Sequence, residues 1–302
     1  MIEALKTLQR IPLFADMDPV HIQCERLGGL TNRNFKITAD SETYMLRIAG
    51  EGTEEYIDRV AEETNVHVAA RAGVNAQVLY FDASTGVQLT RFLEGTVTMS
   101  AAAFEDLDAV ARAGRALRQV HDCGEMFATE FNIFKMMDDY LQLLKGKQAW
   151  IPKGFARLQQ DAEAVREALA THPAALVPCH CDPLAENFLD GGDIMYVVDW
   201  EYAGNNDGMW DLADLSVEAS FGAAQDAALM EAYFDGPPNR AQAGRMVLYK
   251  AMCDLLWTLW GALQVANDNT AEDFSAYAQE RFDRCKDLMA TRDFKAHLIA
   301  VE

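Results

Sequence analysis

Residues 179–202 read CHCDPLAENFLDGGDIMYVVDWEY. Two cysteines flank a histidine at one end, and an acid–aromatic run closes the other. Between them, the apolar residues around Asp190-Gly191-Gly192-Asp193 predict a short hairpin that turns on the two glycines. A short β-ribbon with polar groups at both ends is an unusual thing to build for stability alone.

Two chemistries compete for these residues. Cys179, His180 and Cys181 offer soft ligands, but only one residue separates the cysteines and no second Cys/His pair follows at zinc-ligand spacing. His121 with Cys123 is the only other close pair, and it falls at a predicted helix end. Cys179 and Cys181 are better read as small buried residues. Asp182, Asn187 and Asp199 offer hard oxygen ligands in the layout His-x-Asp-x-x-x-x-Asn followed by Asp-Trp-Glu. Phosphoryl transfer from a nucleotide needs one carboxylate to accept or orient the acceptor hydroxyl. It also needs an amide oxygen and a second carboxylate to hold Mg²⁺ against the phosphates. Singly, an Asp before proline is often a turn residue and an Asn often a cap. Their joint spacing around a hairpin favours phosphoryl transfer.

Upstream, the chain is strand-rich. Residues 24–37 and 43–49 alternate apolar and polar side chains around a turn at Ala39-Asp40-Ser41. Residues 57–73 have helical spacing and end at Gly73, and 76–82 and 87–93 predict two further strands. From Glu94 onward helices dominate. One is expected over 100–124 with Ser100 as its N-cap, and others around 134–145, 155–171, 208–234, 241–266 and 272–290. The expected fold is α+β and two-lobed: a small antiparallel-sheet lobe over 1–93 that binds nucleotide, and a mostly helical lobe over 94–302 that carries the catalytic loop and acceptor site.

Composition narrows the partners. The 302 residues carry a net charge of -21, from 26 Lys+Arg against 47 Asp+Glu. Such a surface repels nucleic acid and anionic membranes, whereas a cationic small molecule is attracted. The six cysteines are scattered rather than set at disulfide-scaffold spacings, which predicts a reducing, cytoplasmic setting. The N-terminus shows no signal-peptide stretch. The most apolar segment, 246–266, is interrupted by Lys250 and Asp254, so a buried helix is expected there rather than a membrane span.

CHCDPLAENFL (179–189) and VVDWEYAGNNDGMWDLADLSVEASF (197–221) resemble the choline/ethanolamine kinase family, within the larger aminoglycoside phosphotransferase and protein-kinase-like superfamily. The likeness runs over nearly the whole chain and is nearest to bacterial choline kinases. ERLGGLTNRNFKI (25–37) is similar to their nucleotide loop, YMLRIAG (44–50) to the next strand, IDRVAEETN (57–65) to the helix with the paired acid, and LLWTLWGALQ (255–264) to the tryptophan-bearing helix.

The resemblance implies roles. Gly28, Gly29, Thr31 and Asn32 approach the phosphates of ATP. Arg47 takes the place of the kinase lysine, with Glu62 as its acid partner and Glu63 as the alternative. Asp182 acts on the acceptor hydroxyl, Asn187 and Asp199 hold Mg²⁺, and His180, Glu201 and Asp211 give structural support. Tyr202, Trp257 and Trp260 form aromatic walls around a quaternary ammonium, which attracts ring faces because it has no N–H to donate. Glu218 supplies the countercharge. Cys181 departs from the family, which places asparagine or glycine between this His and Asp. After Glu218 the aromatic-rich pattern of eukaryotic relatives is missing, and Phe221 is expected to supply one wall. The implied activity is ATP- and Mg-dependent phosphorylation of choline. Ethanolamine, thiamine or another amino alcohol are alternative acceptors. An aminoglycoside, a catalytically silent choline or nucleotide sensor, and a structural zinc protein are less favoured.

Overall fold

The computed structural model describes residues 2–29, 32–50, 52–53 and 57–302. Five strands form an antiparallel sheet: β1 (Ile22–Arg26), β2 (Arg33–Ala39), β3 (Glu42–Ile48), β4 (Val78–Asp82) and β5 (Val87–Arg91). Their spatial order is β1-β2-β3-β5-β4. Period-two alternation puts Phe35, Ile37, Tyr44, Leu46 and Ile48 on one buried face. Helix α1 (Ile2–Leu8) and the turn after it close that face with Ala4, Leu8, Ile11 and Phe14. The stretch 24–37, expected as one strand, is two. The chain leaves β1 and passes Gly29 at φ +148 before β2 begins.

Helix α2 (Arg59–Arg71) runs between β3 and β4 and packs on the other lobe: Val66, Val68 and Ala69 belong to the larger, helical core. Asn65 donates to the carbonyl of Ala203 at 2.7 Å and accepts from the Ala128 amide at 2.9 Å. The Val197 amide donates to the Val74 carbonyl at 2.7 Å. These bonds tie the sheet to the segment that carries Asp199.

The helical lobe comprises α3 (Leu107–His121), α4 (Ile133–Gly146), α5 (Phe155–Thr171), α6 (Met209–Glu218), α7 (Ala223–Phe234), α8 (Arg240–Ala266), α9 (Phe274–Met289) and α10 (Phe294–Val301). Helix α3 starts later than Ser100. Asp106 caps it by accepting from the Asp108 amide, while Ser100 caps a short turn by accepting from the Ala103 amide. The helix expected over 208–234 is broken, with Ser220 at φ 56 between α6 and α7. Helix α8 is apolar all round and sits at the centre, packed by α4, α6, α9 and α10. Its Lys250 pairs with Asp226, and its Asp254 with Arg284. Among the described residues no helix is long and apolar enough to cross a membrane.

Two small sheets carry the quoted stretch. β7 (Val177–Cys179) pairs with β10 (Gly204–Asn206). β8 (Phe188–Asp190) and β9 (Met195–Val197) form the hairpin, and β6 (Val97–Thr98) adds a third strand. Asp182 and Asn187 lie between β7 and β8, and Asp199 lies just after β9.

Candidate active site

The loop after β7 is held from below. Asp211, in the first turn of α6, accepts the main-chain amides of His180 at 2.7 Å and Cys181 at 2.8 Å. It is a loop brace rather than the N-cap, which is Gly208. His121 Nε2 reaches the same Asp211 carboxylate at 3.0 Å, and Tyr233 bonds His121 Nδ1 at 2.8 Å. His180 donates from Nε2 to the Val198 carbonyl at 2.9 Å and accepts the Asp182 amide at Nδ1. Both ring nitrogens therefore serve the backbone, and burial lowers its pKa, which favours the neutral ring.

Cys181 has φ 68, a conformation that suits glycine or asparagine better. Its thiol is buried against the carbonyls of Cys179 and Gly204. Burial pushes the thiols of Cys179 and Cys181 well up, which favours the protonated form of each.

Asp182 is half-buried at the end of this loop. Burial, then Glu218, Asp199 and Glu201, raise its pKa well above the usual carboxylate range. Asn187 donates its side-chain amide to the Asp182 carbonyl at 3.0 Å, which leaves its amide oxygen for another partner. Asp199 has φ 68 and accepts from Arg47 Nη1 at 3.0 Å. Burial, then Glu201, push the Asp199 carboxyl up to about 7, against the opposing pull of Arg47.

Behind Asp199 lies a buried charge cluster. Glu62 is 2% exposed, which rules out a solvated helix face for it. It pairs with Arg47 on β3, and its second oxygen accepts from Arg59 at 2.6 Å. Arg59 also donates to Glu201 at 3.0 Å and to Thr53 at 2.6 Å. Ligand atoms of Glu62, Asp199 and Glu201 lie within 4.8 Å of one another. The sequence reading missed Arg59; its only local signal was the three-residue spacing to Glu62. Asn32 reaches this cluster from the segment before β2, donating to Glu201 at 3.3 Å and accepting the Gly50 amide at 3.2 Å. Gly28 and Gly29 are exposed beside it, and Thr31 lies outside the described residues. A Cβ on Gly29 would meet the Asn32 carbonyl oxygen at 2.6 Å, whereas one on Gly28 would meet nothing within 4 Å.

A group of aromatic residues gathers around Trp257. The rings of Tyr202 and Trp257 are 5.8 Å apart and edge-on, and those of Trp257 and Trp260 are 6.2 Å apart and edge-on. Trp260 packs further against Phe274 and Tyr277. Glu218 lies near, held by Arg281 through two bonds of 2.6 and 2.7 Å. Phe221 does not join this wall; it packs edge-on against Phe104 instead. The break between α6 and α7 turns its ring away.

Residues 23–243 match the phosphotransferase enzyme family. The chain belongs to this family. A crystal structure of a choline/ethanolamine kinase family protein from Mesorhizobium loti is 49% identical, with a TM-score of 0.90 over 99% of this chain and 98% of that one. This places the chain in the choline/ethanolamine kinase branch of the family. Protein LicA from Haemophilus influenzae is 28% identical over 269 residues, which cover 87% of this chain and 78% of LicA. Choline kinase LicA from Streptococcus pneumoniae shares the fold, with a TM-score of 0.79 at 24% identity over 95% of this chain and 99% of that one. As a family member the chain is a small-molecule phosphotransferase of the choline or ethanolamine kinase type.

Proposed function

We propose that this enzyme transfers the γ-phosphoryl group of ATP to the hydroxyl of choline, with Mg²⁺ held by Asn187 and Asp199. The observation that carries the acceptor is the edge-on set Tyr202, Trp257 and Trp260, whose Tyr202 follows Asp199 by three residues. Ring faces attract a trimethylammonium group by their quadrupoles, and such a group has no N–H that would call for hydrogen-bond acceptors.

The donor set fits Mg²⁺. A carboxylate and an amide oxygen are hard ligands, and the Asn187 amide nitrogen is already engaged, so its oxygen is the atom left over. When bound, Mg²⁺ neutralises phosphate charge and orients the transferred group. For the nucleotide, the Gly28-Gly29 segment permits close main-chain approach to phosphates. Arg47, fixed by Glu62, offers a planar guanidinium suited to phosphate oxygens. A related LicA structure holds AMP, which supports a nucleotide site in this fold.

Asp182 orients the choline hydroxyl and takes its proton. Its raised pKa makes it a better proton acceptor than an exposed aspartate. His180 and Asp211 keep the loop in place, so most of the rate arises from positioning and electrostatics.

The test is an ATP-coupled screen of choline, ethanolamine, thiamine and an aminoglycoside, with products identified by mass. Phosphocholine is the expected main product. Transfer to another acceptor with none to choline would overturn the assignment. ATP binding with no transfer to any acceptor would make the protein a sensor.

A further inference from the structure

Asp211 is fully buried, and both of its oxygens are engaged by the loop that ends in Asp182: Oδ2 accepts the His180 amide and Oδ1 the Cys181 amide. One further donor reaches it. His121, the last residue of α3, is 4% exposed and places Nε2 3.0 Å from Oδ2. A carboxylate only accepts, so Nε2 carries the hydrogen and Nδ1 is left to accept. The Tyr233 hydroxyl, in the last turn of α7, stands 2.8 Å from Nδ1 and donates to it.

Two glycines make room for this line of groups. Gly114 lies seven residues before His121, on the same face of α3. A Cβ there would meet the Leu229 carbonyl oxygen of α7 at 2.7 Å. Leu229 is four residues before Tyr233, so the close contact of the two helices also carries the hydroxyl to the imidazole. Gly208 has φ -56, which any residue adopts, so space rather than conformation calls for a glycine. A Cβ at 208 would stand 2.6 Å from the Tyr233 hydroxyl oxygen and 2.8 Å from His121 Nδ1.

We infer that His121 and Tyr233 are positioning residues for phosphoryl transfer. Tyr233 fixes the imidazole, the imidazole fixes the Asp211 carboxylate, and the carboxylate holds the main chain from which Asp182 projects. With the two loop amides alone, that carboxylate can tilt with the loop; the third donor, anchored on α3, ties it to the helical core. A misplacement of about 1 Å at a reacting group is enough to cost about 10² in rate. The inference rests on the role proposed above for Asp182.

The test is steady-state kinetics on His121→Gln and His121→Asn, with ATP and the acceptor that the wild type phosphorylates. Glutamine puts an amide N–H where Nε2 stands and keeps the bond to Asp211. Asparagine reaches only the Nδ1 position and leaves Asp211 one donor short. Both place an amide in the same buried spot, so lost packing alone affects them alike. His121→Asn is expected to lower kcat by roughly ten- to hundredfold, with both KM values within about threefold of wild type. His121→Gln should keep kcat within about fivefold. In an Asp182→Asn background no proton acceptor is left to position, and His121→Asn should then cost less than about threefold. If His121→Asn does not fold, Tyr233→Phe takes its place, because it deletes a single hydroxyl. Its kcat should fall several-fold with unchanged KM values, and the loss should vanish in the Asp182→Asn background. An unchanged kcat in the variant that folds, equal losses in the Asn and Gln variants, a loss carried by KM, or an undiminished loss in the Asp182→Asn background overturns the inference and leaves the role of Asp182 standing. Near-normal turnover of Asp182→Asn itself overturns that role and this inference with it.

Discussion

Asn187 and Asp182 are joined by one hydrogen bond, from the side-chain amide of the first to the main-chain carbonyl of the second, at 3.0 Å. The group assigned to the acceptor and a group assigned to the metal thus belong to one small loop. Replacing Asp182 with Asn leaves that carbonyl in place and removes only the proton acceptor. Turnover should fall by about 10² to 10⁴, the usual contribution of a general base, with the KM for nucleotide nearly unchanged. Steady-state kinetics with near-normal turnover would sink the role given to Asp182.

Asp199 carries a pH dependence. Its pKa is raised to about 7, with burial as the largest cause, so the folded protein without metal holds the proton more tightly than the unfolded chain does. Its contribution to stability is present at low pH and lost as pH rises through about 7. Mg²⁺ needs the ionised carboxylate and competes with that proton. The thermal stabilisation given by Mg²⁺ with nucleotide should therefore be larger at about pH 8 than at about pH 6. Asp199→Asn should abolish this difference. Equal thermal shifts at the two pH values in the wild type would contradict it.

The two loop glycines are not equivalent. Gly29 has φ +148 and no room for a side chain, whereas Gly28 is open. Gly29→Ala should raise the KM for ATP by roughly tenfold, the scale of one to two kcal/mol of backbone strain. Gly28→Ala should behave nearly as wild type. Nucleotide titrations of the two variants, side by side, measure the contrast.

Trp257→Ala removes the ring that touches both Tyr202 and Trp260. The KM for choline should rise by roughly ten- to thirtyfold, as expected for loss of a desolvated cation–π contact. The ATP-dependent chemistry at Asp182 should be less affected. A kcat loss with an unchanged choline KM would remove Trp257 from the acceptor pocket.

Some of this site was legible in the sequence for a physical reason. Asp182, Asn187 and Asp199 sit on one loop–hairpin–loop unit, so their spacing along the chain is also their spacing around the site. The sheet was legible from period-two alternation, except where Gly29 divides 24–37 into two strands. Arg281 and Asp214 were not legible. Arg281 meets Glu218 across 63 positions, and Trp257 meets Asp214 across 43. On its own helix each looks like an ordinary polar residue, and only packing of α6, α8 and α9 reveals its partner. Glu218 was placed near the acceptor by resemblance, but its arginine clamp lies on α9, beyond the segments whose motifs carried the resemblance.

The most direct test of the choline assignment is the ratio of kcat/KM for choline to that for ethanolamine, measured on the wild-type enzyme with saturating ATP and Mg²⁺. An aromatic pocket favours the quaternary cation, so the account predicts a ratio well above one. A ratio at or below one would show that N–H recognition outweighs the rings, and would contradict it.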